Sequence, residues 1–167
     1  MPTVTRKRTI AGPPEAVYDL VADPRRLPEW WPRVVRVEDV AGRAGAERTR
    51  WTSVLAADSG RLLRLDYRCS DANRPGRYEW EHELEGTAFA KHLARQAIRV
   101  GIDPEGEGSR VALTAVHTLR GPAKLAGFAM KKGQRELLDS ALEALAAAVE
   151  GGPAAAPPAE TTEEEDR

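Results

Sequence analysis

Arg77-Tyr78-Glu79-Trp80-Glu81-His82-Glu83-Leu84 alternates charged with aromatic or apolar residues without a break. Side chains of a strand point in turn to its two faces. The octet therefore reads as a strand with Glu79, Glu81 and Glu83 in water and Tyr78, Trp80, His82 and Leu84 facing inward. The sequence on either side repeats the pattern. Val34 to Val40, Arg48 to Leu55, Leu62 to Ser70, His92 to Ile102 and Arg110 to Leu119 also read as strands. Turn-forming residues separate them at Gly42 to Gly45, Asp58-Ser59-Gly60, Asp71 to Gly76, Glu85-Gly86 and Asp103 to Gly108. Six strands joined by connections this short must pair antiparallel, because parallel neighbours need crossovers of about a dozen residues or more.

Outward from this block, Val4 to Ile10 adds a seventh strand. Pro13-Pro14-Glu15 opens a helix with proline in its first turn, continued by Val17, Leu20 and Val21 and stopped by Asp23-Pro24. Arg25 to Trp30 reads as a second short helix bracketed by Pro24, Pro28 and Pro32. At the other end, Pro122 to Glu150 reads as one long helix. Leu125, Phe128, Ala129, Leu138, Ala141, Leu142, Leu145 and Val149 recur at steps of three and four, and Gly151-Gly152 ends the run. At about 1.5 Å per residue it extends about 40 Å, and it is the element long enough to cover the apolar face of the sheet. Gly133 within it is a weak point or a site of close packing. The expected fold class is α+β: a seven-stranded curved antiparallel sheet, two short helices after strand 1, and a long C-terminal helix over the concave face.

The entry Ala11-Gly12-Pro13-Pro14-Glu15-Ala16-Val17-Tyr18, the Asp23-Pro24 break and the segment Glu29-Trp30-Trp31-Pro32 resemble the START-like (SRPBCC) superfamily and, within it, the polyketide cyclase/dehydrase family. The Gly86-Thr87 turn and the Leu119-Arg120-Gly121 lead-in to the long helix are similar as well. The resemblance covers about residues 3–150. It implies a helix-grip fold with an apolar cavity between curved sheet and long helix, entered near the two short helices. The superfamily includes lipid carriers, aromatase/cyclases, quinone-binding proteins, allergens and co-chaperone domains, and fold alone does not choose among them.

Composition narrows the function classes. The chain has 167 residues, 41% of them hydrophobic, enough for one domain with a core of its own. Residues 1–150 are expected to form that domain and 151–167 a disordered acidic tail of Gly, Ala, Pro and Glu. The formal net charge is -1, but the last 17 residues hold five acidic side chains and one basic. Residues 1–150 thus carry 24 basic against 21 acidic side chains, a net +3. That balance is too weak and dispersed for a nucleic-acid face. No apolar run approaches the roughly 20 residues of a membrane span, and no signal peptide opens the chain. The single cysteine, Cys69, cannot form an internal bridge, and paired Cys and His spacings for zinc are missing. A cytoplasmic protein without metal or cofactor is expected, as a monomer or homodimer.

Alternation assigns the inner face. Thr49, Trp51, Ser53 and Leu55 point in, then Leu63, Leu65, Tyr67 and Cys69, then Tyr78, Trp80, His82 and Leu84. Ala94, Gln96, Ile98 and Val100 follow, and finally Val111, Leu113, Ala115, His117 and Leu119. The candidate ligand-binding residues are Trp31, Trp51, Tyr67, Cys69, Tyr78, Trp80, His82, Gln96, Ile98, His117 and Phe128. Mostly apolar surface with a few polar tips suits a small-molecule pocket, and it equally suits a filled core. Of Trp30 and Trp31, adjacent on a helix, one belongs to the core and the other is free to stand over the cavity entrance.

His82-Glu83-Leu84-Glu85-Gly86 lacks the second histidine of a zinc-protease motif, and nucleophile-elbow, phosphate-loop and dinucleotide signatures are absent. The chemistry implied by the resemblance is aldol-type cyclisation or dehydration, which needs a base and a donor to an enolate oxygen. His82 or His117 is the candidate base and Tyr67 or Tyr78 the candidate donor. The leading expectation is non-catalytic binding or carriage of an apolar small molecule such as a lipid, quinone or polyketide-like compound. Cyclase or dehydratase activity in the same cavity is the alternative, and a protein-interaction domain is a third.

Overall fold

The computed structural model describes residues 3–151, the side chains of residues 125–129 excepted. The expected acidic tail and the inward role of Phe128 lie outside the described residues.

One antiparallel sheet is built from β1 (Thr3–Ile10), β2 (Val34–Ala41), β3 (Arg50–Ala56), β4 (Leu62–Asn73), β5 (Arg77–His82), β6 (Leu93–Glu105) and β7 (Gly108–Leu119), in the spatial order β1-β7-β6-β5-β4-β3-β2. β1 and β2 follow one another in the chain yet form opposite edges, so the segment joining them has to cross the sheet. That segment contains α1 (Pro14–Val21), a 3-10 turn (Pro24–Arg26) and the single-turn α2 (Leu27–Trp30). Pro14 opens α1 where a backbone N–H would have no partner. Asp23 accepts a bond from the Arg25 N–H at 3.1 Å and starts the next turn. The second short helix expected over Arg25 to Trp30 is thus split in two.

The long helix begins later than its hydrophobic pattern suggests. Gly121–Ala126 winds as 3-10 and α3 runs Gly127–Gly151. Leu138, Ala141, Leu142, Leu145 and Ala146 bury its C-terminal half against the concave face, where Tyr78, Val100, Ile102, Val111 and Leu113 wait. The far end is pinned at the β1–α1 corner. The Ala11 N–H donates to Glu150 Oε1 at 3.1 Å, and a Cβ on Gly12 would stand 2.5 Å from Val149 Cγ1.

Parity fails where bulges intervene. Pairing slips between Leu93 and Arg95, so Ala94 is exposed instead of facing in. A second slip between Cys69 and Asp71 falls at Ser70, the last residue of the expected strand, and leaves Cys69 inward. Leu63 pairs with Leu55 as alternation expects, yet is 39% exposed. β5 stops at His82, so Leu84 leaves the sheet.

The outer face corrects another expectation: Glu79 is buried rather than in water. Arg95 reaches it at 2.8 Å and Arg99 at 2.5 Å, and the Ser70 hydroxyl donates at 3.0 Å. Glu81 accepts from Arg95 at 2.6 Å and Arg68 at 3.2 Å. Long arginine side chains lying along a convex sheet cover acids that alternation alone would leave in solvent.

Candidate functional site

The strand registers set five of the inward polar and aromatic residues in one row across five strands. Trp51 on β3 pairs with Tyr67 on β4, Tyr67 with His82 on β5, and Gln96 on β6 with His117 on β7. The gap between β5 and β6 is closed by side chains, His82 Nδ1 and Gln96 Oε1 lying 3.0 Å apart. Tyr67 stacks on Trp51 with ring centres 6.1 Å apart, and its other side meets the His82 ring at 5.1 Å. Phe89, on a short 3-10 turn after β5, caps the far side of His82 at 5.5 Å.

Next to this row lies a tryptophan cluster. Trp30, Trp31 and Trp80 meet edge to face, with ring centres 5.3 to 6.0 Å apart. Trp30 is the core member, at 1% exposure. Trp31, the next residue, turns to the cavity as the other of the pair.

Between row, cluster and helix opens a pocket of about 320 Å³. Leu55, Leu65, Tyr67, Trp80, Gln96, Ala97 and Ile98 line it from the sheet, and Trp31, Pro32 and Arg33 from the segment after α2. Gly133, Gln134 and Leu137 roof it from α3. Arg33 adopts a left-handed φ of 69°, accepts the Ala56 N–H at 2.9 Å and pairs with Asp58 at 2.6 Å, which fixes the bend at this wall. A larger cleft, about 470 Å³, lies outside at α1. It is walled by charged groups that are partly satisfied by one another, with Arg74 on Asp19 at 3.1 and 3.2 Å.

Of the expected ligand-contacting residues, Trp31, Tyr67, Trp80, Gln96 and Ile98 line the inner pocket. His82 stands behind Tyr67 and Gln96, touching both without lining it. Trp51, Cys69, Tyr78 and His117 are buried among core side chains outside the pocket lining. Burial pulls the His82 imidazole below its ordinary value, the Gln96 bond partly offsetting this, and burial alone pulls His117 down. Both are neutral at neutral pH. Burial drives the Tyr67 and Tyr78 hydroxyls far above the ordinary tyrosine range, so each stays protonated. The Cys69 thiol is pushed up to about 11 by burial and donates to the Asp71 carbonyl at 3.5 Å, which leaves it unreactive. Among the described residues, no group of three or more His, Cys, Asp or Glu side chains could hold a metal ion.

Gln134, Gly133 and Leu137 also line the pocket and are not among the residues alternation and motif point to. Gln134 had a readable signal, being a polar residue four before Leu138 and seven before Ala141 on the apolar stripe. Gly133 is not a close-packing site, since a Cβ there would meet nothing within 4 Å. It leaves room for the pocket.

A family model described as "Polyketide cyclase / dehydrase and lipid transport" matches residues 1–150. The chain belongs to this family. Among solved structures it is similar to TTHA0849 from Thermus thermophilus, at 30% identity and TM-score 0.67 over 87% of this chain and 94% of that one. A START superfamily protein from Mycobacterium smegmatis shares 18% identity and TM-score 0.70, covering 89% and 97% of the two chains. The di-domain ARO/CYC StfQ from the steffimycin biosynthetic pathway shares 13% and TM-score 0.72, covering 89% of this chain and 50% of that one. The last two show the helix-grip fold alone. No curated protein matches the chain. Membership in the polyketide cyclase/dehydrase and lipid transport family goes with a hydrophobic ligand-binding fold. No helix among the described residues is long and apolar enough to cross a membrane.

Proposed function

We propose that the protein binds and carries a compact apolar molecule, a quinone, lipid or polyketide-like compound, in the pocket beneath α3, and that it does so in the cytoplasm without turning the ligand over. The observation carrying this reading is the lining. Trp31, Leu55, Leu65, Trp80 and Ile98 supply mainly apolar surface, while Gln96, Gln134, Tyr67 and Arg33 are the lining residues with larger polar groups. A site of this make-up orients a ligand and has no carboxylate to take its proton. At about 320 Å³ it lies near the lower end of ligand pockets, which run from about 300 to 1,000 Å³, so a ring system suits it better than a long acyl chain. The buried free Cys69 thiol is in keeping with a reducing compartment.

Cyclase or dehydratase chemistry is the second reading, favoured by one observation. The neutral His82 ring lies 5.1 Å from the Tyr67 ring, a base directly behind a phenol-bearing residue of the pocket wall. Native mass spectrometry of protein purified from its own host without detergent, followed by solvent extraction, tests binding. A stoichiometric apolar molecule is expected. An empty protein whose tryptophan fluorescence ignores lipids, quinones and aromatic polyketides overturns the carrier reading. If His82→Ala and His117→Ala abolish conversion of a poly-carbonyl substrate and leave ligand affinity nearly intact, the second reading replaces the first.

A further inference from the structure

Two hydrogen-bonding groups of the pocket face one another from opposite walls. Gln134 Oε1, on the α3 wall, is buried and has no partner among the described residues. On the sheet wall the Gln96 Oε1 is taken by His82 Nδ1 at 3.0 Å, which leaves the Gln96 amide N–H groups unspent. A buried acceptor without a partner costs free energy in the empty protein, so a ligand that supplies the missing proton is favoured over one of equal size that does not. The flat rings of Trp31, Trp80 and Tyr67 line the same pocket.

We infer that the ligand is a compact planar ring compound bearing a hydroxyl that donates to Gln134 and a carbonyl that accepts from Gln96. This rests on the carrier reading of the pocket and adds the polar pattern that selects within it. The hydroxyl has to be neutral, because an ionised one would present an anion to the Gln134 carbonyl. Methylating it removes the proton and adds bulk against the helix; removing the carbonyl leaves the Gln96 amide unpaired.

The test titrates the full chain with hydroxyfluorenone, methoxyfluorenone and hydroxyfluorene, read by quenching of tryptophan fluorescence, alongside Gln134→Leu. Hydroxyfluorenone is expected to bind the native protein about tenfold tighter than either relative, the scale of one buried hydrogen bond. In Gln134→Leu the preference over methoxyfluorenone is expected to vanish while the preference over hydroxyfluorene persists. A thermal melt of the variant shows that it folds. Equal binding of all three by the native protein overturns the inference and leaves the carrier reading standing. Discrimination that survives Gln134→Leu overturns the assignment to Gln134. Failure of all three to bind overturns the inference, and the carrier reading is then decided by the lipid, quinone and polyketide panel.

Discussion

His82 and His117 occupy the same cross-strand row, and burial holds both imidazoles neutral. The consequence is a pH dependence of stability with a definite sign. Histidines of the unfolded chain titrate at about 6.5, above the folded values, so below that pH the unfolded chain binds more protons. The stabilisation is full above about pH 6.5 and is lost as pH falls through it toward the lowered folded values. The urea midpoint is expected to drop between about pH 7.5 and 5.5, and a His82→Gln/His117→Gln variant to lose most of that drop. A midpoint that falls equally in both proteins assigns the effect to other groups. At this same scale the identities of Tyr67, His82, Gln96 and His117 as inward polar tips were legible from alternation. Their arrangement as a single row was not, because register across four strand pairs is a tertiary property.

Among the elements, β1 and α3 depend on glycines in opposite ways. A Cβ at Gly108 would stand 2.5 Å from the Ile10 carbonyl oxygen and 3.6 Å from the Ala11 Cα, backbone atoms that cannot step aside as a side chain can. Gly108→Ala is expected to destabilise by about 1–3 kcal/mol through displacement of the β1–β7 corner, read as a lower urea midpoint. Gly133 is exposed within α3 with nothing near its Cβ position. Gly133→Ala is therefore expected to stabilise by about 0.5–1 kcal/mol, through helix propensity alone. If both substitutions shift the midpoint in the same direction, the contrast between a crowded and an open site is wrong. Element boundaries were readable where punctuation is strong, as at Pro14 and Asp23-Pro24. The bulge at Ala94 and the 3-10 stretch at Gly121–Ala126 carry no local signal that separates them from strand and helix.

At the scale of the molecule, sheet and helix share one core. The concave face is closed by Leu138, Ala141, Leu142, Leu145 and Ala146, each nearly inaccessible to solvent, and among the described residues the sheet has no other cover of that length. A chain ending at Ala126 would expose Tyr78, Val100, Leu113 and their neighbours together. It is expected to lose the cooperative urea transition, whereas the full chain unfolds with coincident circular dichroism and tryptophan fluorescence curves. A truncated chain that still melts cooperatively would mean that the sheet stabilises itself without α3.

The sequence by itself determined the class of fold and its order of elements. Alternation, turn residues and one long helical stripe are local patterns, and short connections leave antiparallel pairing as the sole option. It also determined which residue types face inward. Only the tertiary structure decided which of them meet. The pocket takes Trp31 from a loop, Tyr67 and Gln96 from separate strands and Gln134 from a helix about 38 residues further along, and no local pattern encodes that convergence. It likewise decided that Glu79 is buried, because the arginines that cover it come from the neighbouring strand.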